Sequence, residues 1–147
     1  MKRLFFSGDQ SVLSTRASWG LLVLRVGVGA SMMLGHGWGK LSSFGTMSAK
    51  FADPYGLGAT VSLALAVFAE FFCSLLVVTG TFTRLATIPL IVTMLTAFLL
   101  IHGADPFPRK ELALMYLVPF VTLFVTGPGR FSVDYLILNR KQAVVEG

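Results

Sequence analysis

Two opposite charges stand inside apolar stretches of this chain: Arg25 interrupts the run Trp19–Leu34, and Glu70 interrupts the run Val61–Thr79. A charge within a membrane span costs roughly 3 kcal/mol or more, so it normally faces a partner or a wet cavity. A second group of polar residues gathers at the ends of other apolar runs. His36 and Lys40 close the first run, His102 closes the third, and Glu111 opens the fourth, with Asp105 and Lys110 between them. Imidazole, ammonium and carboxylate together can hold an anionic or carbonyl headgroup and exchange protons with it. A quinone needs such donors beside an apolar trough, for which Trp38, Phe98, Phe107 and Tyr116 are the available walls. The candidate ligand set is therefore His36, Lys40, His102, Glu111, Trp38 and Tyr116. The competing explanation is that these side chains are ordinary anchors at a membrane interface.

Those residues must be positioned by helices in lipid. Of the 147 residues, 54% are hydrophobic and only 13% charged, too few charges to cover a soluble domain of this size. The apolar residues fall in blocks, and a helix needs about 20 residues to cross the hydrocarbon. The runs are continuous rather than alternating, which argues against an outer-membrane barrel. The expected fold is all-α: one domain over 1–147, an integral membrane four-helix bundle with spans at about 17–36, 57–79, 85–102 and 109–127. Pro106-Phe107-Pro108 can start the fourth span early, with Arg109 and Lys110 snorkelling to the interface. The first span is a poor cleaved signal, because Arg25 lies in its apolar region. Lys2, Arg3, Arg16, Arg84, Arg130, Arg140 and Lys141 share one side against Lys40, Lys50, Arg109 and Lys110 on the other. The positive-inside rule then puts both termini in the cytoplasm, in the inner (cytoplasmic) membrane. Phe44, Met47 and Phe51, in the longest connection, read as an amphipathic piece on the membrane surface.

Helical spacing places Arg25, Gly29, Met32 and His36 on one stripe of the first helix. Gly27, Ser31 and Gly35 form a small-residue ridge on roughly the opposite side, suited to close approach by another helix. Arg25 lies about 9 Å inside Trp19, and Glu70 about 14 Å from the same face at 1.5 Å per residue. A long arginine side chain spans that difference, so an Arg25–Glu70 ion pair between the first two helices is expected. It serves either as a structural pair fixing register or as a charged element of a ligand or proton site; a buried pair is compatible with both. Glu70 shares its face with Leu63, Ala66, Ser74 and Val77, with Cys73 at the edge.

Other chemistry is absent from the pattern. The lone Cys73 forms neither an internal disulfide nor a CxxC centre. His36, His102 and Glu111 carry no recognised metal-ligand spacing, so no metal is assigned. Phosphate-loop, dinucleotide and nucleophile-elbow motifs are missing, and no residue is assigned a catalytic role. The net charge of +5 is accounted for by anionic lipid and calls for no nucleic acid. Thr93 and Thr96 are expected to bond back to their own helix and receive no function.

The segments His36-Gly37-Trp38-Gly39-Lys40-Leu41, Ala69-Glu70-Phe71, Leu76–Gly80 with Thr83–Ala86, Glu111–Leu114, and Gly127–Asp134 resemble, in order and spacing, the DoxX family of small four-helix membrane proteins of bacteria and archaea. The resemblance runs from about Ser18 to Asp134. It places the family's charged positions on Arg25, His36, Lys40, Glu70, Arg84, Glu111 and Arg130. It implies a role near membrane redox chemistry and quinone, since relatives include the membrane subunit of thiosulfate:quinone oxidoreductase. The leading expectation is a membrane subunit that binds quinone or a similar amphiphile and assists a redox partner protein, itself a homo-oligomer in lipid. The alternatives are an oligomeric small-solute or proton transporter, and a non-catalytic scaffold or assembly partner docking through Gly27, Ser31 and Gly35.

Overall fold

Ser14 opens the first helix by accepting the Ala17 N–H on its hydroxyl oxygen at 3.2 Å, satisfying one of the amides that every helix start leaves unpaired. A computed structural model describes residues 14–137, and these are helical with no strand among them. We number the helices α1 (Thr15–Ser42), α2 (Phe44–Met47), α3 (Ala59–Thr79), α4 (Thr83–Ile101) and α5 (Phe107–Thr126). Residues 133–137 are helical again. Lys2, Arg3, Arg140 and Lys141, counted above for orientation, lie outside the described residues.

Three helices, α1, α3 and α4, are long and apolar enough to cross a membrane, with 28, 21 and 19 residues. The 20-residue α5 starts at Phe107, as the two flanking prolines predict: proline fits the first helical turn, where its missing N–H costs nothing. α1 continues past its expected end at 36, to Ser42, and includes Lys40.

Each long apolar helix contains one π-helical turn: Met33–Gly37 in α1, Phe68–Cys73 in α3 and Ala97–Ile101 in α4. In these turns an N–H reaches five residues back, as Trp38 does to Met33 and His102 to Ala97. Such turns concentrate at functional sites. Nothing in the sequence explains the turns in α3 and α4.

α1 packs along α3 and also touches α5, and α4 packs along α5. Close approach of α1 and α3 is set by two glycines. A Cβ on Gly29 would lie 3.2 Å from the Ser74 carbonyl oxygen, and one on Gly37 would lie 2.6 Å from that of Glu70. The glycines of the expected ridge, Gly27 and Gly35, have open space beside them, and Ser31 is exposed. Met32, Val77, Leu90, Phe120 and Leu123 fill the core between the helices. In lipid this packing is held by close van der Waals contact rather than by expulsion of water. The outer faces are apolar, with Val23, Leu34, Met115 and Val125 about two-thirds exposed or more.

Candidate functional site

The helix register decides which charges meet. Gly37 lies beside Glu70, Gly29 beside Ser74 and Val78, and Arg25 beside Gly80. Arg25 is thus ten residues, or about 15 Å, from the level of Glu70. Its side chain also leans toward the helix N-terminus, as helical side chains do, and so farther away. The expected Arg25–Glu70 pair is therefore not what forms. Glu70 pairs instead with Lys40, whose Nζ donates to Oε2 at 2.5 Å. Glu70 is 5% exposed and Arg25 2%, so each charge is buried with a different partner.

Lys40 and Glu70 stand in the wall of a cleft of about 320 Å³. α1 contributes Lys40, α3 contributes Ser62, Leu65 and Glu70, and α4 contributes Val92, Thr93 and Thr96. His102, immediately after α4, lines it too. The connection before α3 covers one side with Phe51 and Tyr55. Glu70 lies within the π turn of α3, His102 directly after that of α4, and Lys40 three residues after that of α1. Mostly apolar walls with a few convergent polar groups are the usual form of a small-molecule site.

The cover is tied down at two points. Tyr55 Oη and Thr96 Oγ1 are hydrogen-bonded at 2.7 Å across the cleft wall. Asp53 accepts the N–H of Leu57 at 3.0 Å, the N–H of Gly58 at 2.7 Å and the Ser62 hydroxyl at 2.8 Å. The Ser62 hydroxyl, followed by the Gly58 N–H, holds the Asp53 carboxyl below the usual carboxylate range.

Of the six expected ligand residues, Lys40 and His102 line this cleft and the other four do not. His36 packs edge-on to Tyr116 with ring centres 5.4 Å apart, Trp38 packs on Phe71, and Glu111 is exposed. Phe98 lies under the Lys110 ammonium and Phe107 is exposed, so neither forms a wall. A helix turn rotates each residue by about 100°, so Trp38 and Lys40, two apart, cannot face the same way. Thr93 and Thr96 do bond back to Pro89 and Val92, yet both also line the cleft. Tyr55 was missed because it follows Pro54, outside the amphipathic pattern of Phe44, Met47 and Phe51.

His102 has a partner of its own. Its Nδ1 lies 2.9 Å from Asp105 Oδ2, and Arg109 lies 3.6 Å from the other carboxylate oxygen. The His102 hydrogen bond is the main influence holding the Asp105 carboxyl below its ordinary value, with Arg109 adding to it. Among the described residues no group of three or more His, Cys, Asp or Glu could hold a metal ion.

The other end of the bundle is closed by residues 127–134. Arg25 Nη2 donates to the Phe131 carbonyl, while Nε and Nη1 are buried without a protein partner. Asp134 accepts the N–H groups of Phe82 and Thr83 at 2.8 and 3.0 Å, capping α4, and its own N–H donates to the Gly80 carbonyl. These bonds hold Phe82 at φ 48°, a left-handed conformation that costs a non-glycine residue roughly 1–2 kcal/mol. Gly80, at φ 73°, leaves room for the guanidinium: a Cβ there would lie 1.6 Å from Arg25 Nη1.

Comparison with curated proteins and with solved structures returns no match. The DoxX family model matches residues 20–103, a segment that holds Arg25, Lys40, Glu70 and His102. That segment is more than half of the 147 residues, and three of its helices are apolar enough to cross a bilayer: the chain is a membrane protein of the DoxX family.

Proposed function

We propose that the protein binds quinone, or a similar amphiphile, in the cleft between α1, α3 and α4, as a subunit of a membrane redox system. The observation that carries this reading is the pairing of apolar cleft walls with the part-buried Lys40–Glu70 bridge and His102. The volume suits a ring with part of a tail, and the tail leaves along apolar side chains such as Leu65 and Val92. A partner protein, in this reading, exchanges electrons with the bound quinone. In this reading α5 is the fourth span, its outer face carrying Met115, Val118 and Val125. Both termini lie in the cytoplasm and the protein resides in the inner membrane. The open face of Gly27, Ser31 and Gly35 favours contact with a second copy.

The test is extraction of lipids from purified protein, followed by melting with and without a decyl-tailed benzoquinone. Co-purified quinone, or a raised melting temperature that Thr96→Phe abolishes by filling the cleft, supports the reading. No quinone and no shift removes its basis.

A further inference from the structure

We infer that the His102–Asp105 pair makes the cleft discriminate a carbonyl headgroup from a hydroxyl one according to the proton on His102; this rests on the cleft being the amphiphile site. The geometry carries the argument. His102 lines the cleft, and its Nδ1 is held by Asp105 Oδ2 at 2.9 Å. A carboxylate only accepts hydrogen bonds, so Nδ1 carries a proton in either charge state of the ring. The remaining nitrogen, Nε2, is therefore the one that changes. In the imidazolium it is an N–H donor, which a ligand carbonyl accepts. In the neutral ring it is a lone pair, which accepts from a ligand hydroxyl. Asp105 acts here as a positioning residue: it fixes the tautomer, as the partner of a working histidine commonly does.

The surrounding charges leave this assignment intact. Arg109 of α5 lies on the Asp105 oxygen not used by His102. Lys110 donates to the Gly103 carbonyl at 3.1 Å and covers Phe98, and Glu111 is exposed. From the cleft side Lys40 and Glu70 neutralise one another, and Tyr55 is bonded to Thr96. Asp105 stays ionised through the range in which histidine changes charge, because its carboxyl is held below the ordinary carboxylate value by the His102 bond first and by Arg109. Oxidised quinone should then bind better at low pH and its quinol better at high pH.

The experiment measures dissociation constants of a decyl-tailed benzoquinone and of its quinol, kept anaerobic, for the full chain in detergent across about pH 5 to 8. The expected result is about a tenfold loss of affinity for the oxidised form as pH rises, the worth of one charge-assisted hydrogen bond. The quinol should show the opposite trend. Asp105→Asn, which keeps the size but frees the tautomer, should flatten both profiles, and His102→Gln should abolish them. Binding of both forms with no pH dependence, or an unchanged profile in Asp105→Asn, overturns the inference and leaves the cleft reading standing. Failure of both forms to bind at every pH overturns both the inference and the cleft reading.

Discussion

At the scale of single residues, the buried charges divide into two independent sites. Lys40 and Glu70 bridge α1 and α3 beside the cleft, whereas Arg25 is held by the Phe131 carbonyl at the other end. Glu70→Gln and Lys40→Met should therefore be strongly non-additive, since either alone strands a charge. A coupling of about 0.5–3 kcal/mol in detergent melts is the expected size for groups in direct contact. Arg25→Met combined with Glu70→Gln should instead be additive within about 0.5 kcal/mol, as for sites without shared partners. A large Arg25–Glu70 coupling would contradict the register. The charges themselves were legible as anomalies in apolar runs. Their partners were not, because both depths were counted from assumed span ends, Trp19 and Thr79, whereas Arg25, six residues beyond Trp19, is the residue level with Gly80.

At the scale of elements, the two close-approach glycines set the α1–α3 interface. Gly37→Ala puts a methyl group 2.6 Å from the backbone oxygen of Glu70, and backbone cannot step aside as a side chain can. It should lower the melting temperature and weaken ligand binding together. Gly27→Ala meets nothing within 4 Å and should be neutral or stabilising, by up to about 1 kcal/mol from helix propensity. The connection before α3 depends on Asp53. A carboxyl held below its usual value contributes stability that is complete above that value, 3.8, and is lost as pH falls through the lowered one. At neutral pH, Asp53→Ala should accordingly speed amide exchange at Leu57 and Gly58, whose N–H groups it accepts. Long helices were readable from hydropathy, and the start of α5 from its prolines. The π turns were not, although Glu70 lies in one and His102 directly follows another: they shift a helix face by one residue without altering composition.

At the scale of the whole molecule, the cleft and the Arg25 site lie at opposite ends of one bundle. The expected orientation puts the loops at 43–58 and 102–106 on the outer side and the turn at 80–82 on the cytoplasmic side. Because Cys73 is the sole cysteine, a Cys73→Ala background allows single-cysteine labelling. In intact cells an impermeant thiol reagent should label Thr46→Cys and Ala104→Cys, and reach Thr81→Cys only after the membrane is opened. The reverse pattern would invert the topology.

The bond between Arg25 and Phe131 joins residues 106 positions apart, and that separation bears on biogenesis. A chain grows from its N-terminus, so α1 is made long before the carbonyl that receives its guanidinium exists. Until residues 127–134 emerge, Arg25 lacks that acceptor and must stay near water or lipid headgroups. A chain stopped short of Phe131 therefore lacks the carbonyl that its buried Arg25 uses.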